Sequence, residues 1–324
     1  MEPMQQTSRS PGDRNRALDR RQFLGAAGVA ALALAARSAL LFGAKQADRA
    51  PTTAPTANHR YKIAACDWMM LKRQTPGAIT RAKEVGCDGV ETDMGPLSKN
   101  PTFDNKLLKD DKFREDYLAL AKQTGIEICS IAMSGYYAQS FPERPFEQPI
   151  KDCLATMKLM GVKVAFLPLG VYGDLVKKPE VRPAIVERLK TIGPWAEEAG
   201  VVIGIETSLD AAGEIKLLED VGSPAIKIYY NFENAVEGKR DLISELKLLG
   251  KDRICQIHPT NKDVHWLQDD PDIDMPKAKQ ALDEMGWRGW LVIERSRRAD
   301  RGRDVIGNFS ANARYLKKVF QEAA

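Results

Sequence analysis

Four polar side chains stand at the ends of short, mostly apolar runs in the second half of this 324-residue chain. They are Glu206, Asn231, His258 and Glu294. A carboxylate at the end of an apolar run is costly unless it is paired or coordinated. Carboxylate, amide and imidazole groups are suitable ligands for a hard or borderline divalent cation such as Mg²⁺, Mn²⁺, Co²⁺ or Zn²⁺. If the four groups converge, the pattern predicts a site for one divalent metal ion.

The runs that end in these residues are predicted to be parallel β-strands. Most of them are nearly continuous apolar stretches, as expected for strands that are buried on both faces. Eight such runs occur, at 61–66, 88–92, 126–132, 163–168, 201–206, 226–231, 253–258 and 290–294. The segments between them have helical spacing; for example, Ile150, Cys153, Leu154 and Met157 share one helix face.

Eight strand–helix units over residues 61–320 predict an α/β fold, a single-domain (β/α)₈ TIM barrel. A doubly wound open sheet is disfavoured, because no glycine-rich phosphate loop follows the first strand. In a TIM barrel the active site lies at the carboxyl ends of the strands. The four polar side chains are therefore expected to meet there, and Glu91, at the end of the second predicted strand, is expected to face the same end.

The chain resembles the xylose-isomerase-like TIM-barrel family, which contains sugar-phosphate isomerase/epimerases, ketose 3-epimerases and hydroxypyruvate isomerases. The resemblance covers 61–320 and rests chiefly on IGIET (203–207), IKIYYNFEN (226–234), QIHPTNKD (256–263) and MGWRGWLVIERS (285–296). It implies that one divalent metal ion is bound by Glu206, Asn231, His258 and Glu294. It also implies that Glu206 and Glu294 are catalytic and move the protons of the substrate.

Position 231 departs from the family pattern. The family usually has Asp followed by x-Gly-Asn, whereas this chain has Asn231-Phe232-Glu233-Asn234. A carboxamide can ligate a metal through its oxygen, but it contributes no negative charge. We therefore expect a weaker metal affinity, unless Glu233 restores the missing charge.

Residues near the strand ends are candidates for substrate binding. Aromatic rings that follow strands one and three can stack on a sugar. The resemblance also implies substrate-contacting polar groups in the loop after strand seven. The candidates are Glu91, Trp68, Tyr136 with its neighbour Tyr137, Asn234, Lys262 and Asp263. The expected partner is a small sugar or keto-sugar.

The resulting hypothesis is an isomerase or epimerase that transfers a proton next to a keto group. A metal ion would stabilise the developing enediolate, while one of Glu206 and Glu294 removes the proton and the other returns it. A lyase or hydrolase of 3-keto-glycosides could use the same enolisation. A non-catalytic carbohydrate-binding barrel is favoured by Asn231 and disfavoured by the two glutamates.

The first fifty residues have the layout of an export leader. Arg20 and Arg21 precede an Ala/Leu-rich stretch that reaches Ala36, which is typical of a twin-arginine signal. Residues 51–60 are interpreted as a linker, because 51–58 combine several chain breakers with no periodicity. We expect the twin-arginine machinery to export the protein to the periplasm, where it is either released or anchored by an uncleaved leader.

The charge distribution excludes a general nucleic-acid-binding role for the barrel. The formal charge of the chain is +4, and the eight basic and four acidic residues of 1–50 account for all of it. The remainder is formally neutral and lacks the basic footprint of a nucleic-acid-binding domain. Three histidines are too few for the multi-histidine cluster of the related abasic-site DNA endonucleases. The sequence leaves open whether the chain forms a homo-oligomer.

Overall fold

The structure, a computed structural model, describes residues 59–322. The predicted leader at 1–50 and most of the predicted linker therefore lie outside the described residues. The strands are β1 Tyr61–Cys66, β2 Gly89–Asp93, β3 Glu127–Ala132, β4 Val164–Pro168, β5 Val202–Glu206, β6 Ile226–Asn231, β7 Ile254–His258 and β8 Gly289–Ile293.

The eight strands form one closed parallel barrel in chain order, in which β8 pairs with β1. This arrangement confirms the predicted (β/α)₈ fold. The observed strands differ from the predicted ones by at most one residue at either end. At two places the difference concerns polar residues, because Asp93 is the last residue of β2 and Glu294 follows β8 directly.

Helices occupy the segments between the strands and after β8. They are α1 Pro76–Glu84, α2 Lys106–Lys109, α3 Asp111–Thr124, α4 Glu147–Met160, α5 Arg182–Ala199, α6 Ala211–Val221, α7 Phe232–Glu237, α8 Leu242–Leu249, α9 Met275–Met285 and α10 Val305–Phe320. None of the helices within 59–322 is long and apolar enough to cross a membrane.

The hydrophobic residues divide into two clusters. The larger one joins the strands to the surrounding helices, as expected when apolar helix faces cover a parallel sheet. A smaller cluster, which includes Cys66, Phe166, Tyr229 and Val292, has members on β1, β3, β4, β6 and β8. Gly204 permits close packing beside it, since a Cβ atom there would lie 2.5 Å from Cys255 Sγ. Tyr229 and Phe166 of this cluster pack against His258, at the carboxyl end of β7.

Candidate active site

The four polar side chains of the second half meet at one end of the barrel. Glu206, Asn231 and His258 are the last residues of β5, β6 and β7, and Glu294 is the first residue after β8. Parallel pairing sets Asn231 directly beside His258. One oxygen each of Glu206 and Glu294 and one ring nitrogen of His258 all lie within 4.8 Å of one another. The fold thus brings together the residues that the sequence singled out at strands five to eight.

His258 is the centre of this group and is fully buried. Its Nδ1 lies 3.2 Å from Glu206 Oε2 and 3.7 Å from Glu294 Oε2, and its Nε2 lies 3.3 Å from Glu91 Oε1. Burial lowers the pKa of His258, but the carboxylates of Glu294, Glu206 and Glu91 raise it by more, to about 10. Without a bound cation, the imidazole is therefore positively charged at neutral pH, with a proton on each ring nitrogen.

Glu91 supports His258 from inside the barrel. Its Oε2 accepts hydrogen bonds from Ser130 Oγ at 2.6 Å and from Tyr229 OH at 2.8 Å, and the side chain is fully buried. With those bonds in place, its other oxygen can accept the proton on His258 Nε2. If a cation displaced the proton on Nδ1, the lone pair of that nitrogen would face Glu206 and Glu294, which is the orientation that a metal ligand needs. Glu91 thus contacts His258, and it does not line either of the cavities described below.

Asn231 presents its amide nitrogen to the two glutamates. Nδ2 donates to Glu206 Oε2 at 3.0 Å and to Glu294 Oε2 at 3.5 Å, while Oδ1 accepts the backbone N–H of Glu233 at 2.9 Å. This last bond caps the start of α7. The cap fixes the orientation of the amide, because turning it over would bring its NH₂ group against the N–H of Glu233.

The pKa of Glu294 is raised by its surroundings. Burial and the charge of Glu206 raise it, whereas His258 and Arg295 lower it, and the result is a pKa of about 7. Both protonation states of Glu294 are therefore populated near neutral pH. A carboxyl group in this state can either donate or accept a proton.

Two cavities open beside the glutamates. The first has a volume of about 330 Å³ and is lined by Glu294 and Arg295 together with Trp68, Phe166 and Tyr137. The second has a volume of about 380 Å³ and lies beside Glu206, between Tyr137 and the segment 169–178. Tyr137 lines both of them. The glutamates are 8% and 9% exposed, so substrate-sized space reaches groups that are otherwise buried.

Of the remaining predicted substrate-binding residues, two line the cavities. Trp68 lines the first cavity, where its ring stacks on Phe166 at an interplanar angle of 5°. Asn234 lines the second cavity and donates through Nδ2 to the carbonyl of Thr207.

The other three are placed elsewhere. Tyr136 is fully buried between Phe103 and Phe141, since the 3₁₀ helix Ser134–Tyr137 turns its ring into the core and turns Tyr137 outward. Lys262 pairs with Glu237 at 2.7 Å, and Asp263 Oδ1 accepts the backbone N–H of Arg297 at 3.0 Å. Neither of these two lines the cavities.

Arg295 and Phe166 were not among the candidates from the sequence. Arg295 donates to Glu233 Oε1 at 3.3 Å and to Tyr137 OH at 3.5 Å, above Glu294. Its position directly after Glu294, at the end of a strand, indicates in the sequence that Arg295 lies near the site. Phe166 had no comparable signal, because an aromatic residue in the middle of β4 is also what a packed core would contain.

The donor set fits a divalent metal ion at three of the four predicted positions. Glu206, His258 and Glu294 offer two carboxylate oxygens and an imidazole nitrogen that face one another, a combination that such cations accept. Asn231 lies alongside, but its oxygen is held by the N–H of Glu233. As it is placed, Asn231 offers the site a hydrogen-bond donor.

Comparisons with known proteins agree with this fold. A family model described as "Xylose isomerase-like TIM barrel" matches residues 79–319. No curated protein sequence matches the chain significantly.

Several solved structures share the architecture. D-psicose 3-epimerase with D-tagatose, from Clostridium cellulolyticum H10, is 15% identical with a TM-score of 0.63 over 81% of this chain and 100% of that one. 3-keto-D-glucoside 4-epimerase from E. coli is 17% identical, with a TM-score of 0.61 over 79% and 99%. The probable 3-DHS dehydratase AsbF from Bacillus anthracis is 16% identical, with a TM-score of 0.58 over 79% and 98%.

Proposed function

The chain belongs to the xylose isomerase-like TIM barrel family, and from this premise we propose that it is a sugar isomerase or epimerase. The reaction would move a proton at the carbon next to a keto group. The observation that carries the proposal is the pair Glu206 and Glu294, whose Oε2 atoms lie on the same side of His258, both near its Nδ1. The epimerases among the similar structures support the same reaction class.

The proposal includes one divalent metal ion, either Mn²⁺, Mg²⁺, Co²⁺ or Zn²⁺. Glu206, His258 and Glu294 would hold it, with Asn231 beside them. Bound there, the ion would supply positive charge next to the oxygens of the substrate. Glu91 would keep His258 in the tautomer that leaves Nδ1 free as a ligand.

The proton transfers belong to the two glutamates. One of them, as a carboxylate, takes the proton from the carbon next to the carbonyl, and the electron pair moves towards the carbonyl oxygen to give an enediolate. In an epimerase the other glutamate returns a proton to the opposite face of the same carbon. In an isomerase it protonates the former carbonyl carbon, while the neighbouring hydroxyl becomes the new carbonyl and its proton passes to the former carbonyl oxygen. A pKa of about 7 suits Glu294 to both directions. Nδ2 of Asn231 donates to both glutamates and would keep their reacting oxygens in place.

Elimination of a glycosidic substituent is the second candidate. An enediolate next to a glycosidic carbon can re-form the ketone and expel the substituent, which leaves as an alcohol with a proton from the second glutamate. The protein would then be a lyase of 3-keto-glycosides, or a hydrolase if water adds to the resulting double bond. The second cavity beside Glu206 favours this candidate, because it gives a substituent somewhere to lie.

Export by the twin-arginine route remains part of the proposal. Arg20-Arg21 and the apolar stretch after them support it. A periplasmic enzyme would encounter free sugars, oligosaccharides or oxidised glycosides, whereas sugar phosphates are cytoplasmic metabolites.

The metal content of protein purified without chelator tests the metal site. We expect about one divalent ion per chain, by elemental analysis, and its loss in His258→Ala. His265→Ala is the matched control, since His265 is exposed and lies outside the glutamate cluster. Failure of the wild-type protein to bind metal in excess Mn²⁺, Co²⁺ or Zn²⁺ would remove the ion from the proposal, and equal metal in His258→Ala would place it elsewhere.

A further inference from the structure

Tyr137 lies at the boundary of the first and second cavities, and each cavity reaches one of the two proposed catalytic glutamates. Glu294 lines the first cavity, Glu206 lines the second, and Tyr137 lines both. A substrate whose reacting carbon lies between the two glutamates therefore has room to extend on either side of this ring.

The wall formed by Tyr137 is fixed in place. Its carbonyl accepts the backbone N–H of Val171 at 3.1 Å, and Gly170 packs so closely that an added Cβ atom would lie 2.4 Å from the same oxygen. Arg295 lies over the ring and donates to its hydroxyl group. The two cavities, called compartments below, thus share a rim that is held in place at Tyr137.

The compartments differ in chemical character. The first is mostly apolar and is walled by the stacked rings of Trp68 and Phe166, a surface on which one face of a sugar ring can lie. The second contains many polar groups, together with the exposed apolar side chains of Val171 and Val176. This mixture suits a second polyhydroxylated ring.

The charged groups that line the second cavity have partners among the described residues. Lys177 pairs with Asp174 at 3.0 Å and Arg240 pairs with Glu245 at 2.8 Å. Glu237 pairs with Lys262, and Lys178 lies over the ring of Tyr172. A phosphate group would need cations that are free to bind it. The lining contains three cations and three carboxylates, so it has no net positive charge and favours an uncharged substituent over a phosphate.

Each compartment is large enough for a sugar ring, and a single ring would fill only one of them. Ligand sites typically bury most of the ligand surface in about 300–1,000 Å³. The first cavity at about 330 Å³ and the second at about 380 Å³ together have the capacity for two rings. A monosaccharide would leave one compartment filled with water.

We propose that the substrate is a neutral keto-glycoside of two rings. The ring with the keto group lies in the first cavity against Trp68, and its glycosidic substituent passes Tyr137 into the second cavity. This inference rests on the proposed function, because the reacting ring is placed by Glu206 and Glu294. It adds the substrate class and assigns the second cavity as the site of the substituent.

Calorimetric titration of matched ligands tests the assignment. The probes are methyl glucoside oxidised at carbon 3, which has one ring, and cellobiose and trehalose oxidised at the same carbon, which have two. We expect at least one of the two-ring probes to bind about tenfold more tightly than the one-ring probe. Equal affinities for all three would overturn the inference, and so would a failure of all three to bind.

Two surface variants locate the second ring. Val176 is 60% exposed and lines the second cavity, so Val176→Trp should fill that space and weaken the two-ring probe about tenfold. Binding of the one-ring probe should not change. Val264→Trp is the matched control, because Val264 is 49% exposed but lines neither cavity. Equal affinity of both variants for the two-ring probe would also overturn the inference.

Solvent deuterium uptake separates this inference from the proposed function. If oxidised methyl glucoside exchanges deuterium but a second ring adds no affinity, the two-ring substrate is wrong and the proton-transfer function stands. If the second ring adds affinity through the second cavity but none of the probes exchanges, the binding assignment stands and the proposed function fails.

Discussion

Two groups of buried carboxylic acids in this barrel differ in what lies next to them. Glu206 and Glu294 face the two cavities and share His258 and Asn231 as partners. Glu91 and Glu214 are enclosed, and each accepts at least one hydrogen bond from a hydroxyl group. Ser130 and Tyr229 donate to Glu91, and Thr207 donates to Glu214. The two groups are buried to a similar extent, but only the first has space for a substrate.

The difference shows that burial alone does not identify a catalytic acid. Burial raises the pKa of both Glu214 and Glu294, to about 8 and about 7 respectively. Only Glu294 combines that shift with a cavity, a neighbouring carboxylate and a shared imidazole. Enclosed acids affect stability and the orientation of other groups, whereas acids that face a cavity can exchange protons with a substrate. Three substitutions test this division.

Glu214 should govern a pH dependence of stability. Its pKa is about 8 in the folded protein, well above its ordinary value, so in the window between the two the folded chain holds a proton that the unfolded chain has released. The free energy of unfolding should therefore fall as pH rises from about 5 to about 8. Glu214→Gln removes this pH-dependent contribution, which is about 4 kcal/mol for three pKa units at about 1.4 kcal/mol per unit.

Denaturant unfolding at pH 5 and pH 8 measures that effect. Glu214→Gln should gain stability relative to the wild-type protein at pH 8 and much less at pH 5. Glu219→Gln, an exposed position on the same helix, should show no such difference. Parallel pH profiles for the wild-type protein and Glu214→Gln would show that Glu214 is ionised in the folded state at neutral pH.

Glu91→Gln should weaken metal binding without removing a ligand. A glutamine there can turn its NH₂ group towards His258 Nε2, which would move the ring proton to Nδ1, the nitrogen that faces Glu206 and Glu294. Changes to such supporting groups typically cost about 10- to 100-fold in metal affinity. Ser130→Ala, which removes one donor but keeps the carboxylate, should have a smaller effect in the same titration. If Glu91→Gln binds metal as well as the wild-type protein, Glu91 does not set the tautomer.

Asn231→Asp should strengthen metal binding. The new carboxylate can keep the cap to the N–H of Glu233 and present its second oxygen where Nδ2 now donates to Glu206 and Glu294. An added negative charge at this point should raise the affinity for Mn²⁺ by about tenfold, or about 1.4 kcal/mol. Asn234→Asp adds the same charge on α7 and is the control. Tighter binding in Asn234→Asp alone would show that Asn231 does not limit the site.

Strand positions could be predicted from the sequence, because the apolar runs are short, regularly spaced and bounded by polar residues. The convergence of Glu206, Asn231, His258 and Glu294 follows from the closed barrel, once the strands are placed. The direction in which side chains point within short irregular segments could not be predicted. Tyr136 and Tyr137 are chemically identical neighbours, and only the 3₁₀ turn at 134–137 decides which one enters the core.

The roles of Glu91 and Asn231 also depend on details finer than the strand pattern. Glu91 is the third residue of the five in β2, so its side chain lies deeper than the strand ends and reaches His258 from inside the barrel. The orientation of Asn231 depends on α7 beginning at Phe232, which places the N–H of Glu233 against its oxygen. Neither the depth of a side chain nor the orientation of an amide is encoded in hydrophobic periodicity.

Deuterium uptake from solvent tests the central claim, that Glu206 and Glu294 transfer a proton next to a keto group. The protein is incubated in D₂O with D-fructose and with oxidised methyl glucoside, and deuterium at the carbons next to the carbonyl is followed by NMR. We predict uptake with at least one of them in the wild-type protein, and a rate about 10²- to 10⁴-fold lower in Glu206→Gln and in Glu294→Gln, each of which should remain folded. Uptake at the wild-type rate in both variants would contradict the claim.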